Sequence, residues 1–483
     1  MMLTYGHDYN RAWFWYAWRR SKLICILTRS LMCILYLSCS KKQDVFQPTD
    51  PLGIANKWVY DSMKLYYYWA DQLPGHPDYS LPTQDFFKQL LSPEDRFSWI
   101  SNHTDVSAPQ YTFQLFGFHY TLIRHPFNPQ QLVGVITLVV PASDAASRVH
   151  LKRGMFFTQV NNKTITDQNM NAITGELESK ASSNALLQLA VLNANGTALM
   201  DSVQVTVNQK IVTPRAVYAT RYFQKNGIKT GYLPYFLCAE NEDNVLLQKI
   251  QLLKSEGVTE LILDLRYNPG GSVASVSKLA AALVPSFNAD HTFITFRGNR
   301  NGGTVKLSFK EAVLFSGYSI GKDMNYLQTI NLGLKRVFIL TSRTTASAAE
   351  LLANNLKPYM QVFLIGDKTY GKDEASFTIE DKGNPKQVDW VLTPIVYKVA
   401  DVNGHGSYSS GITPDYVVNE FSNLPLQELG MPGDLPVDKA LELIYGTSQV
   451  DNIALRRQVF EFPNIEPLFH SSPSGAFPIT VPR

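Results

Sequence analysis

Ser347 sits in the stretch Thr344-Thr345-Ala346-Ser347-Ala348-Ala349-Glu350, and Gly371-Lys372 follows further along the chain. A serine attacks a carbonyl once a base takes its proton, and a lysine can be that base only as a neutral amine. The two residue types together fit acyl transfer by a Ser/Lys pair. A third stretch, Asp264-Leu265-Arg266-Tyr267-Asn268-Pro269-Gly270-Gly271, carries two adjacent glycines. Glycines there let backbone N–H groups face a developing oxyanion. Each feature alone also has a bland reading: a helix cap, a solvated loop, an ordinary strand-to-helix turn.

The elements that must position these residues are legible around them. Val337-Phe338-Ile339-Leu340 reads as a buried strand, and residues 346–357 as a helix stopped by Pro358. Ser347 then lies at a helix N-terminus, where free N–H groups and the macrodipole favour negative charge. Residues 362–365 read as the next strand, with Tyr370-Gly371-Lys372 in the loop leaving it. One βαβ unit would bring serine and lysine to the same sheet edge. The run 261–265 before the double glycine reads as another strand, and 272–283 after it as a helix. Residues 244–256 form an amphipathic helix with Gly257 as its C-cap. Strand, glycine turn and helix alternate, which predicts an α/β sheet.

These stretches, in this order, resemble the C-terminal processing peptidases, also called tail-specific proteases. Thr345-Ala346-Ser347-Ala348-Ala349-Glu350 resembles the nucleophile motif of that family, and Thr369-Tyr370-Gly371-Lys372 its lysine motif. Asp264 to Gly271 resembles the stretch supplying an oxyanion-hole amide, and Gly411-Ile412-Thr413-Pro414-Asp415 a turn near the end of the catalytic domain. The resemblance implies a crotonase-like α/β catalytic core, an upstream PDZ-like β-rich domain and a small helical N-terminal domain. It implies Ser347 as nucleophile and Lys372 as general base. The backbone amides of Ala348 and of Gly270, or its neighbour Gly271, would form the oxyanion hole. No metal or organic cofactor is implied. One position departs from the family pattern: Ser376 stands where a glutamine usually helps orient the lysine. Asp373 and Glu374 also flank Lys372, and carboxylates that close would raise its pKa unless they face solvent.

The resemblance extends upstream. Leu115-Phe116-Gly117-Phe118 is similar to the carboxylate-binding loop of PDZ domains, which take an extended peptide as an added strand. Residues 141–146, 151–154 and 160–165 are similar to further PDZ segments, the last as strand, turn and strand. The expected organisation is a leader over 1–39, a helical domain over 40–105, a PDZ-like domain over 106–210, a catalytic domain over 211–450 and an extension of unassigned role over 451–483. In the helical domain, Trp58, Met63, Tyr66, Tyr67 and Trp69 are expected in the core, with Pro74 and Pro77 between two helices.

Composition agrees with a globular chain of several domains: 483 residues, 45% hydrophobic, 18% charged and a net charge of +3. That charge gives no sign of nucleic-acid binding. Of four cysteines, Cys25, Cys33 and Cys39 cluster near the N-terminus, and Cys238 ends the apolar run Tyr232 to Cys238 as an expected core thiol. No Cys or His spacing suits a metal. Arg11, Arg19, Arg20 and Lys22 precede an interrupted apolar run that ends in Leu35-Tyr36-Leu37-Ser38-Cys39 and a polar stretch. This resembles a bacterial lipoprotein signal with Cys39 as the lipidated residue, and implies a membrane-anchored protein of the cell envelope; a plain secretory signal or a single uncleaved anchor are the alternatives, and all three place the body outside the cytoplasm. The expected partners are protein or peptide substrates. Two other readings stand beside the peptidase: a catalytically impaired peptide-binding lipoprotein, and an acyl-CoA enzyme on the shared core. An export signal argues against the second.

Overall fold

The apolar side chains of the central, largely parallel sheet divide between its two faces. In strand Glu260–Asp264, Leu261 and Leu263 face one apolar cluster and Ile262 the other. In strand Arg336–Thr341, Val337 and Ile339 face the first cluster, and Phe338 and Leu340 the second. Side chains alternate across a strand, so a run that is apolar throughout must be covered on both sides. Helices Asp243–Ser255, Val273–Leu283 and Ala348–Asn355 cover one face, and helix Leu435–Tyr445 the other.

The structure is a computed structural model, described over residues 48–102, 111–213, 215–315, 323–446 and 458–471, with 479–480 as backbone. The central sheet runs in the order Tyr416–Val417, Gln361–Gly366, Arg336–Thr341, Glu260–Asp264, Ile228–Pro234, Arg221–Lys225. All its pairs are parallel except the last. The strand, helix and glycine-turn elements expected at 261–283 and 337–365 are therefore present, each within one or two residues.

A second sheet is antiparallel throughout, in the order Pro467–His470, Phe118–Arg124, Leu132–Val139, Phe156–Val160, Asn184–Leu192, Leu199–Asn208. Its core joins Phe118, Tyr120, Leu122, Ile136, Phe157 and Leu187. Asn161 and Asn162, at φ 51° and 60°, make the tight turn into Lys163–Thr164, as the asparagine pair foretells.

Two expectations need correction here. The helices Pro51–Tyr66 and Thr83–Leu90 form the anticipated pair, but they enclose no separate core. Val59, Met63, Tyr67, Trp69 and Phe86 belong to the same cluster as Leu246 and Val276 of the catalytic region. Leu115-Phe116-Gly117-Phe118 is not an open loop. Leu115 and Phe116 end the short helix Thr112–Phe116, Gly117 closes it at φ 80°, and Phe118 starts a strand. Leu115, Phe116 and Phe118 are buried, and the amides of Leu115 and Gly117 donate to Tyr111 and Phe113 carbonyls within that turn. A ligand carboxylate finds neither amide available.

The extension of unassigned role has a place: Pro467–His470 is the outer strand of the antiparallel sheet, and Ile479–Thr480 pairs with Ala375–Ser376. Cys238 is a buried free thiol, as expected, and burial pushes its pKa up to about 12. Cys39, and with it the leader and lipidation readings, lies outside the described residues. No helix among those described is long and apolar enough to cross a membrane.

Candidate active site

The carboxyl ends of three adjacent parallel strands converge on one place. Glu260–Asp264 leads into the double-glycine stretch, Arg336–Thr341 into the Ser347 turn, and Gln361–Gly366 into the lysine loop. Crevices beyond the carboxyl ends of such strands are where α/β sheets bind ligands.

Ser347 precedes helix Ala348–Asn355 with φ 57° and ψ −120°, a backbone conformation that L side chains rarely adopt. Non-glycine residues held there cost of order 1–3 kcal/mol and persist where the surroundings over-determine them. The surroundings here are specific. The Ala346 amide donates to the Asn268 carbonyl at 3.0 Å, and the Tyr370 amide to the Thr345 carbonyl at 2.9 Å. The Thr345 hydroxyl donates to the Leu265 carbonyl at 2.7 Å. The serine turn is thus bonded to both neighbouring loops.

Glu350 completes the clamp. Its Oε2 accepts from the Ser347 amide at 2.9 Å and the Lys372 amide at 2.8 Å. Its Oε1 accepts from the Gly371 amide at 2.7 Å and from the Thr369 hydroxyl. The side chain is fully buried, and burial raises its pKa while these four donors oppose the rise. The Gly411 turn braces the same loop from outside, with the Ile412 amide on Thr369 Oγ1 at 2.6 Å and Asp415 on the Leu364 amide at 2.8 Å.

Lys372 is buried, with its ammonium 4.7 Å from the Phe97 ring centroid. Burial brings its pKa down to about 8; Glu374 and Glu350 push it up, and Arg96 pushes it down. Arg96 reaches the Gly371 carbonyl, and the Ser409 carbonyl at 2.9 Å, while lying over the Phe97 and Tyr370 rings. Asp373 and Glu374 do not face solvent, as a low lysine pKa would have suggested. Both are buried and share Lys398 as a partner, at 3.1 and 2.5 Å. Lys398 offsets the negative charge that would otherwise fall on Lys372.

Ser376 does not take the orienting part expected of its position. It lies on strand Glu374–Ser376, and its hydroxyl is buried with no hydrogen-bond partner among the described residues. It does not hold the lysine amine.

On the other side, Gly270 stands against Ser347: a Cβ at Gly270 would lie 2.6 Å from the Ser347 Cβ and 3.0 Å from the Ala348 nitrogen. The Gly270 amide donates to Asn268 Oδ1 at 2.9 Å. Gly271 is placed by the carbonyl of Gly270 on the Cys238 amide and the Ser272 amide on the Cys238 carbonyl. Among the described residues, the Gly271 and Ala348 amides have no protein acceptor. Arg266 supports this loop from within. It pairs with Asp264, Asp434 and Glu420, and Glu420 also takes Tyr267 and Arg153. Arg153 lies in the turn that leads into strand Phe156–Val160 of the antiparallel sheet, so one buried polar network spans both regions.

Of the sequence-predicted set, Ser347, Ala348, Gly270, Gly271 and Lys372 come together, and Ser376 lies beyond bonding reach of the amine. Glu350, Arg96, Phe97 and Lys398 were not singled out beforehand. For Glu350 a signal was present, three residues after a helix-capping serine, where an acidic side chain folds back on the cap. Arg96 and Phe97 come from the turn between helix Thr83–Leu90 and strand Trp99–Asn102, far away in sequence, and carry no local signal. No group of residues suited to a metal ion is found among those described.

Parts of the chain are similar to known peptidases. Residues 229–418 match the model of peptidase family S41, and residues 55–99 that of the peptidase S41 N-terminal domain. A carboxyl-terminal-processing protease from Picosynechococcus is 27% identical over 244 residues, covering 50% of this chain and 51% of that one. One from Synechocystis is 24% identical over 265 residues, 54% of each. The chain thus spans about half the length of the curated relatives it matches. The crystal structure of a candidate S41 protease from Bacteroides fragilis superposes with a TM-score of 0.65 at 25% identity, over 83% of this chain and 98% of that one. Residues 55–99 and 229–418 are thus similar, in order, to the two parts of peptidase family S41, and the chain shares the fold of that S41 structure.

Proposed function

We propose that the protein is a serine endopeptidase of the C-terminal processing type, acting through Ser347 and Lys372. The observation that carries the reading is the Glu350 clamp, which ties the amides of both residues to one buried carboxylate beside a lysine of lowered pKa. Neutral Lys372 takes the proton of the Ser347 hydroxyl as its oxygen attacks the scissile carbonyl. The amides of Ala348 and Gly271 receive the oxyanion. Gly270 contributes the missing side chain, since a Cβ would press on the serine. The Lys372 ammonium then returns its proton to the leaving amine. Water, deprotonated by the same amine, hydrolyses the acyl-enzyme, and no cofactor enters.

We read the antiparallel sheet as a PDZ-like domain and the parallel one as a crotonase-like core. The strand order, and the tight turn at Asn161-Asn162, support the first. Substrates are protein or peptide segments that add as a strand. The leader ending at Cys39 supports a lipid-anchored place in the cell envelope, and this part of the reading rests on sequence alone.

The test is Ser347→Ala against a mixture of unstructured peptides. Loss of a covalent nucleophile lowers kcat by several powers of ten. Cleavage within about tenfold of the unmodified protein by a folded variant would sink the assignment.

A further inference from the structure

Pro467–His470 lies antiparallel on strand Phe118–Arg124, with Thr121 opposite His470 and Leu122 opposite Phe469. The Ser471 amide donates to the Tyr120 carbonyl at 2.9 Å, and the Tyr120 amide to Ser471 Oγ at 2.7 Å. Thr121 Oγ1 meets His470 Nδ1 at 2.8 Å, and the Phe469 ring lies 5.8 Å from that of Tyr120, against the core of the sheet. An extended segment on an edge strand, with an aromatic side chain against the core, is how a sheet accepts a peptide ligand. Here the ligand belongs to the same chain.

We propose that Pro467–Ser471 is a displaceable internal ligand, and that substrate strands compete with it for the edge of Phe118–Arg124. The inference rests on the peptidase reading and deepens it by naming what holds the peptide-binding edge when substrate is absent. The fit is incomplete, as a displaceable segment requires. The register shifts between Leu122 and Ile123, Leu468 is 43% exposed, and His470 Nε2 is buried with no partner among the described residues. The position suits competition. Leu468, Phe469 and His470 wall a cavity of about 570 Å³ whose other side is Thr344, Thr369 and Tyr370, from the serine and lysine loops. Further along, Ile479 and Thr480 pair in parallel with Ala375 and Ser376, just beyond Lys372. The one segment therefore adds a strand to the antiparallel sheet and another to the separate five-stranded sheet that holds Ala375–Ser376.

Tethering sets how hard the competition is. Phe460 and Glu461 pair with Leu424 and Asn423, and Ile465 is buried with its carbonyl on Asn419 Nδ2 at 2.7 Å. A ligand on so short a leash has an effective concentration in the millimolar range. A free peptide of similar intrinsic affinity is held off until it reaches that level.

The probe is a fluorescent, C-terminally amidated peptide with the sequence of residues 466–471, and binding is measured on the Ser347→Ala chain, so no step of catalysis enters. Phe469→Pro removes a ladder N–H and the ring contact, and should tighten probe binding about tenfold or more. In a second variant, Thr121→Cys with His470→Cys, the two residues face each other at a non-hydrogen-bonded pair that a disulfide can span. The oxidised form should bind the probe at least ~10-fold more weakly than the same protein reduced. Equal binding by the oxidised and reduced forms would overturn the proposal, as would failure of the Phe469→Pro chain to bind. A failed peptidase assay with normal strand competition would instead count against the Ser347 and Lys372 assignment alone.

Discussion

One oxygen of Glu350 accepts the backbone amide of Lys372 at 2.8 Å, and the same oxygen accepts that of Ser347 at 2.9 Å. A side chain that serves both loops fixes their spacing more tightly than strand pairing alone, because its two buried oxygens accept four hydrogen bonds from the two loops. Glu350→Gln keeps the shape but puts an NH2 group where two of four donors point. A buried donor without its acceptor costs about 1–3 kcal/mol. The expected result is a fall of tenfold or more in kcat/KM together with a lower melting temperature. A variant as active and as stable as the parent would show that the clamp does not position the pair.

The clamp also shows what the sequence could and could not convey. Strands 260–264, 336–341 and 361–366 are apolar runs buried on both faces, and such runs are legible without knowledge of partners. The loops between them inherit their placement from parallel pairing, so Ser347, Gly270 and Lys372 could be brought together on paper. Arg96 and Phe97 could not. They reach the lysine and its loop from the turn after helix Thr83–Leu90, which carries no periodic pattern, and their contact depends on tertiary packing. Leu115 to Phe118 misled for a related reason: the motif has the letters of a ligand loop, but Leu115 and Phe116 close a helical turn whose amides are already used.

Ser376 is the position where family pattern and structure part. Its hydroxyl is buried and unpartnered among the described residues, so Ser376→Ala removes an unsatisfied polar group. Peptidase activity should stay within about threefold, and stability should be equal or up to ~1 kcal/mol higher. Ser376→Gln adds atoms at a fully buried site and should lose about 1–3 kcal/mol. Chemical denaturation of the three proteins separates these outcomes, and a more active Ser376→Gln would restore the orienting role.

The used amides of Leu115 and Gly117 bear on substrate ends. Carboxylate capture by a loop needs N–H groups free to point at it. Peptides that differ only in a free or amidated C-terminus should therefore bind within about twofold of each other, since no hydrogen bond to the terminus separates them. Titration of a matched pair on the Ser347→Ala chain checks this. A tenfold preference for the free acid would mean that the 112–116 turn opens on binding.

Lys372 links activity and stability to pH in the same direction, over adjacent windows. Burial brings its pKa from 10.5 down to about 8, because the neutral amine suits the site better than the ammonium. If the neutral amine is the base, kcat/KM rises with pH through one ionisation near 8 and then levels. Lys372→Arg stays inactive throughout, since a guanidinium holds its proton. Stability follows from the same depression. A lysine whose pKa falls on folding contributes fully to stability above its unfolded value near 10.5, and that contribution is lost as pH falls to about 8. Below pH 8 the folded protein carries the whole penalty of a desolvated ammonium, on the order of 3 kcal/mol at 1.36 per pH unit. Lys372→Met carries no such charge. It should be inactive, yet more stable than the parent at pH 7, with the difference shrinking between pH 8 and 10.5. Denaturant midpoints measured across that window test both halves at once. A stability gap that does not change with pH would place the depressed ionisation on some other group, and the Ser/Lys mechanism would lose its base.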